Sequence, residues 1–161
     1  VEGFESVLFR PLGPGDRFFA ETAGARVEVV EEGQRDLWTR TLLTAMGEDA
    51  SDGSAYRLAL ALFDIASDAL LARHRGEVAG VGALFRDQRL VALGFADATL
   101  PEIRRHGVQG ALIEARLARA VAAGCDLAMA VTEPGSAVQR NHERAGFRLA
   151  YTRVILSRAL G

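Results

Sequence analysis

The sequence predicts an α+β domain, a mixed and mostly antiparallel sheet of about six to seven strands flanked by about four helices. Three observations carry this. The apolar period is helical between Gln34 and Ala66 and becomes strand-like from Ala69 onward. Three apolar runs then follow one another through very short links, as in an antiparallel meander. Finally, a long amphipathic pattern precedes a nearly continuous apolar run, typical of a strand buried on both faces. The chain has 161 residues, about one domain, so a single unit over 1–161 is expected. Residues 1–15 read as an extra edge strand or the remnant of a preceding module.

In chain order, Glu5 to Arg10 reads as a strand, and Pro11-Leu12-Gly13-Pro14-Gly15 breaks it. Asp16 to Ala23 is predicted as a short helix, and the β-branched Arg26 to Val30 as a strand. Leu37, Trp38, Leu42, Leu43 and Met46 fall at helical spacing, which predicts a helix over Gln34 to Met46 stopped by Gly47. Polar Glu48 to Ser54 is a loop, and Ala55 to Ala66 a second helix. Ala69 to Arg75, Val78 to Phe85 and Arg89 to Leu100 form the meander, linked by Arg75-Gly76-Glu77 and Arg86-Asp87-Gln88. Gly107 to Ala123 is a long helix with Ile113, Leu117, Ala120 and Val121 on its apolar face and Glu114, Arg116 and Arg119 largely off it. Leu127 to Val131 is the buried strand, and Ser136 to Ala145 a short helix with Ser136 and Gln139 as a capping box. Phe147 to Leu156 is the last strand. Gly3-Phe4 with Val7 to Arg10 echoes Gly146-Phe147 with Val154 to Leu156 and Arg158, either by coincidence of two β-rich pieces or as the trace of a truncated second module.

All 19 basic residues are arginine; the chain has no lysine. That excludes a GxxxxGK[ST] nucleotide loop and any Schiff-base or lysine-base chemistry. An anion must be held by arginine, histidine, hydroxyls or backbone N–H groups. The net charge of −2 lacks the basic excess of a nucleic-acid binder, so no nucleic-acid partner is expected. The longest apolar stretch, Leu58 to Ala72, is interrupted by Asp64 and Asp68, so no membrane span is expected. A single cysteine, Cys125, and the lack of a signal-peptide pattern point to a reducing, cytoplasmic setting. His74, His106 and His142 lack metal-ligand spacing, and no metal is expected.

One segment carries chemistry. Between Thr99 and Leu112 a strand ends, Arg104-Arg105-His106-Gly107 turns, and a long helix starts. A helix start offers unpaired N–H groups and a positive dipole end, an anion site without side chains. Arg104, Arg105 and His106 add donors, and Gly107 and Gly110 lack the Cβ atoms that would keep a phosphate away. The junction reads as a pyrophosphate site or as a solvated turn.

With Pro101 three residues upstream, Arg104-Arg105-His106-Gly107-Val108-Gln109 resembles the R/Q-x-x-G-x-G/A motif of GNAT-superfamily acyl-CoA N-acyltransferases. Gln109 departs from the small residue that family prefers. Asn141-His142-Glu143-Arg144-Ala145-Gly146-Phe147 resembles the family's N-x-E-R-x-G-F ending. The resemblance covers Arg26 to Leu156, and the order of elements fits it. It implies a V-shaped opening between two parallel strands, Arg89–Leu100 and Leu127–Val131, that takes acetyl-CoA as acyl donor. The coenzyme is then expected on Ala98, Thr99, Leu100, Arg104, Arg105, His106, Gly107, Val108, Gln109, Gly110, Ala111 and Asn141. A backbone N–H near Thr99 would polarise the thioester carbonyl.

The acceptor implied is a small-molecule or peptide amine, attacking directly in a ternary complex, with the protein a monomer or homodimer. Asp97 and Glu133 are the candidate bases, alone or through water, and each also reads as an ordinary strand-end charge. Many family members place a tyrosine four residues before the glycine of G-F. His142 stands there and reads as a proton donor to the thiolate or as a helix-surface histidine. Trp38 reads as core or as a wall of the acceptor pocket. The acidic Glu48, Asp49 and Asp52 suit a cationic amine or simple solvation. The departures at Gln109 and His142 leave open a coenzyme-binding module of weak catalytic power. A different α/β nucleotide-binding protein is the weaker alternative.

Overall fold

The computed structural model of the chain describes residues 1–19, 21–22, 24–87 and 91–157. An eight-stranded sheet runs in the order β2-β3-β4-β5-β6-β7-β1-β8, with helices on both faces. Its strands are β1 (Gly3–Pro11), β2 (Glu21–Thr22), β3 (Ala25–Val29), β4 (Asp68–His74), β5 (Glu77–Asp87), β6 (Val91–Thr99), β7 (Leu127–Thr132) and β8 (Arg148–Ile155). The helices are α1 (Arg35–Met46), α2 (Gly53–Ile65), α3 (Val108–Ala122) and α4 (Ala137–Arg144). Leu71, Val81 and Ala83 face Trp38, Leu42 and Leu43 of α1 on one side of the sheet. Leu70, Ala72 and Ala79 face Val108, Ala111 and Leu112 of α3 on the other. Leu8, Ala128, Ala130 and Phe147 extend the second core along Ile113 and Leu117.

The meander β4-β5-β6 is antiparallel as expected, and β6 pairs parallel with β7. That parallel pairing runs only from Val91 opposite Leu127 to Gly94 opposite Ala130. Beyond it β6 keeps its bonds to β5 through a bulge: Ala83 faces Phe95 and Val81 faces Ala98, so Ala96 and Asp97 oppose Gly82 alone. Ala96 takes a left-handed conformation, φ 49°. A bulge bends the strand that carries it, and here β6 bends away from β7. The two strands splay from Gly94 onward.

Several expectations need correction. Asp16 to Ala23 forms no helix in its described part. Asp16 to Phe19 is irregular and Glu21–Thr22 is a strand; Ala20 and Ala23 lie outside the described residues. The Asp16 carboxylate accepts from Gly13 N–H (2.9 Å) and from Arg10 (3.3 Å), and Arg10 stacks on Phe18 at 4.5 Å. These contacts tie the segment to β1 and leave no N-cap for a helix. β1 is an interior strand between β7 and β8, not an edge. Its echo with the last strand corresponds to an antiparallel pair, Gly3 opposite Ile155; Arg158 lies outside the described residues.

β7 is buried on one face only. Ala128, Ala130 and Thr132 are buried, while Val131 is 37% exposed, because α1 packs over β4 to β6 and not over β7. Arg116 is buried within the apolar face of α3, and Val121 is only half-buried. The loop after α1 is shorter than expected. Asp52 accepts from Ser54 N–H at 2.8 Å and starts α2 at Gly53. Gly47 closes α1 with φ 79°. The link Arg86-Asp87-Gln88 and the strand start at Arg89 run into residues 88–90, outside the described set.

A cleft between the splayed strands

A cleft of about 730 Å³ opens where β6 leaves β7. Its walls are Asp97, Ala98 and Thr99 of β6, Arg104 and Arg105 of the following turn, Gly107 to Gly110 at the α3 start, Ala137, Val138, Asn141 and Arg144 of α4, and Ala45 and Met46 of α1. Gly107 caps α3 in the left-handed region, φ 78°, and no side chain caps the helix. The first intrahelical bond is Ala111 N–H to Gly107 O, so the N–H groups of Val108, Gln109 and Gly110 have no helical acceptor. A Cβ on Gly110 would meet nothing within 4 Å, so that face of the helix start is open. Arg105 adopts φ 71°, a strained conformation for a side chain with a Cβ.

Arg104 crosses the cleft. Its Nη2 donates to Ala45 O at the end of α1 (3.1 Å) and its Nε to Thr99 O (3.4 Å). Asn141 donates to the side-chain carbonyl of Gln109 and accepts from Arg144 at 2.7 Å. The residue that departs from the glycine-rich pattern thus ties α3 to α4. The Ser136 hydroxyl accepts from Gln139 N–H (3.1 Å), but Gln139 reaches back to Gly135 N–H (2.9 Å), one residue before the position a capping box would use.

Thr99 turns its backbone toward the opening, where its C=O accepts from Arg104 Nε and its N–H is free. Leu100 N–H donates to Ala79 O (2.9 Å), and Thr99 faces Gly80 in the register. Antiparallel alternation then turns the N–H and C=O of Thr99 away from β5, toward the side where β7 has departed, and turns those of Ala98 toward β5. Of the expected coenzyme residues, Ala98, Thr99, Arg104, Arg105, Gly107 to Gly110 and Asn141 line the cleft. Leu100, His106 and Ala111 do not. Ala111 is core, and His106 sits outside against His74, ring centroids 5.3 Å apart, with Nδ1 on Arg104 O.

The candidate acid–base residues do not gather. Asp97 lines the cleft with a side chain 10% exposed; its Oδ2 accepts from Arg116 Nη2 at 2.6 Å and its Oδ1 has no partner. Glu133 is exposed at the end of β7 and lines a separate groove with Glu2, Glu5 and Thr132. His142 is buried against Phe147, and its Nδ1 bonds Val138 O at 2.9 Å. A carbonyl only accepts, so Nδ1 carries the proton. Burial, reinforced by the positive Arg116, pushes the imidazole below the usual histidine range and keeps it neutral at pH 7. Trp38 is fully buried and donates to Leu70 O (3.1 Å) and Gly82 O (3.3 Å); it is core and does not line the cleft. The carboxylates of Asp49 and Asp52 are taken by Ser51 and Ser54 as turn and cap. Tyr56 donates to Asp36 on the surface, and Tyr151 lies exposed on β8.

Sequence reasoning missed the buried Arg116. Its signal was an arginine at the helical spacing of apolar Leu112 and Ala120, opposite strands carrying Gly82 and Gly94. Among the described residues no group of three or more His, Cys, Asp or Glu side chains is placed to hold a metal, and no helix is long and apolar enough to cross a membrane.

The fold is shared with solved structures. A putative acetyltransferase of the GNAT family from Novosphingobium aromaticivorans superposes with TM-score 0.69 at 18% identity, over 93% of this chain and 61% of that one. A GCN5-related N-acetyltransferase from Sphaerobacter thermophilus gives TM-score 0.72 at 14% identity, over 92% of this chain and 49% of that one. AAC(6')-Iy, in complex with the bisubstrate analogue CoA-S-monomethyl-acetylneamine, gives TM-score 0.66 at 18% identity, over 85% of this chain and 99% of that one. The chain thus spans about half to three-fifths of the length of the first two. No curated protein matches it in sequence. The family model of the acetyltransferase (GNAT) family matches residues 32–147, and with the splay and the open helix start in place, the chain belongs to that family.

Proposed function

We propose that the cleft binds acyl-coenzyme A, most often acetyl-CoA, and that the chain transfers the acyl group to a primary amine by direct attack in a ternary complex. The observation that carries this is the set of unpaired N–H groups at Val108, Gln109 and Gly110, flanked by Arg104 and Arg105, at the mouth of the splay. Two negatively charged phosphates suit that helix start. The pantetheine arm follows β6, and the free Thr99 N–H polarises the thioester carbonyl. The amine loses its proton to Asp97, whose Oδ1 is unpartnered, or to water held between the acceptor and Asp97 or Glu133. The acceptor is a small-molecule or peptide amine. Related family members use acetyl-CoA, and AAC(6')-Iy is complexed with a CoA-containing analogue.

Thiol release from acetyl-CoA across a panel of amines tests the transfer. A productive amine whose turnover falls at least tenfold in Asp97→Asn, with Glu133→Gln unchanged, assigns the base to Asp97; the reverse assigns it to Glu133. The neutral, buried His142 in place of a phenol favours a second reading, a module that binds acyl-CoA with little turnover. Coenzyme binding without thiol release for any amine supports that reading.

A further inference from the structure

The pair Arg116–Asp97 lies at the crotch of the splay. Arg116 is 4% exposed. Its Nη2 binds Asp97 Oδ2 (2.6 Å) and its Nε binds Leu112 O (3.2 Å). Among the described residues, Nη1 makes no hydrogen bond. A Cβ on Gly94 would stand 3.0 Å from Nη1 and 3.3 Å from Cζ, so the guanidinium lies against the bare Cα of the last β6 residue that pairs with β7. A guanidinium has five donors, and with Nε and Nη2 taken by Leu112 O and Asp97 the Nη1 donors are the ones left for a further acceptor. A gap of only about 10 Å³, lined in part by Gly94, Arg116, Met129 and His142, adjoins it.

We propose that Arg116 receives the coenzyme sulfur: Nη1 hydrogen-bonds the thioester sulfur and stabilises the thiolate as the C–S bond breaks. This rests on the acyl-coenzyme A reading above. Three observations carry it. First, the position where the family commonly has a phenol holds a neutral histidine whose proton is committed to Val138 O, and the chain's two tyrosines lie on the surface. Second, Arg116 lies about 13 Å beyond Gly107 at 1.5 Å rise per residue, a length an extended pantetheine arm can span from a diphosphate held at the α3 start. Third, Asp97, the direct partner of Arg116, lines the cleft.

In the step, the amine lone pair forms the C–N bond and the C–S electron pair leaves on sulfur. The proton of the attacking nitrogen goes to Asp97 Oδ1 or water, and the thiolate takes a proton from solvent after release, giving an amide and free coenzyme thiol. Asp97 fixes the guanidinium and tempers its charge; His142, being neutral, adds none. Arg116 is thus the charge that stands in for the missing phenol.

The ionisation of the thiol of coenzyme A bound to the whole chain tests this, read by thiolate absorbance from about pH 6 to about pH 10. The bound thiol is expected to titrate at least one pH unit below free coenzyme A, a tenfold shift in the thiolate ratio. Arg116→Lys keeps part of the shift. Arg116→Met loses it while still binding desulfo-coenzyme A within about threefold of wild type. A wild-type complex whose thiol titrates as in free coenzyme A overturns the proposal and leaves the acyl-coenzyme A reading standing; failure of wild type to bind either coenzyme overturns both. If Arg116→Met does not fold, the wild-type titration decides alone.

Discussion

His142 shows how one residue's surroundings choose its chemistry. The same imidazole in water would be partly protonated near neutrality; buried beside Arg116 and Phe147 it is neutral. The sign follows from linkage. The folded pKa lies below the unfolded value of about 6.5, so below that pH the unfolded chain takes up a proton the folded chain refuses. The stability is fully present above about pH 6.5 and is lost as pH falls toward the folded value, at most about 1.4 kcal/mol per pH unit. Urea midpoints of wild type and His142→Gln between pH 7.5 and 5.5 should converge as pH falls; parallel lines would mean that His142 titrates normally. No arrangement of letters announced this burial. The position four before Gly146 was legible, but its environment depends on α4 packing against α3 and Phe147. Trp38 is similar. Helical spacing placed it on the apolar face of α1, and only the sheet's carbonyls, Leu70 O and Gly82 O, assign it to the core.

At the scale of elements, the end of β6 governs the cleft. The sequence showed the strand, the turn and the helix start in the right order, because period changes and glycine breaks are local signals. It did not show the bulge at Ala96–Asp97, which arises from pairing with β5, nor the short strand Glu21–Thr22, which arises from pairing with Arg26 and Ala25 of β3. Gly80 is the element's weak point. A Cβ there would lie 2.5 Å from Ala98 O and 3.2 Å from Thr99 Cα, both backbone atoms that cannot rotate aside. Gly80→Ala should cost about 1–3 kcal/mol, seen as a lower melting temperature, and should weaken acetyl-CoA binding by displacing Thr99. A variant of wild-type stability and affinity would show that the end of β6 is softer than its packing suggests.

For the whole molecule, the sheet brings together what the chain keeps apart. β1 is inserted between β7 and β8, and α3 and α4 meet β6 at a splay that needs four separated segments. The family pattern was legible because its two motifs are contiguous stretches; the separation of Asp97 from Glu133 on different sides of β7 was not, because it depends on strand order. The central claim is that the open α3 start holds the diphosphate of acyl-coenzyme A. The melting temperature with and without millimolar acetyl-CoA, in wild type and in Gly107→Glu, tests it most directly, since a ligand of the folded state raises stability in proportion to its binding. Gly107→Glu places a carboxylate at the phosphate site, and its φ of 78° adds backbone strain, so each variant is compared with its own ligand-free state. Wild type should rise by several degrees, and a folded Gly107→Glu little or not at all. No rise in wild type, or an equal rise in both, would contradict the claim.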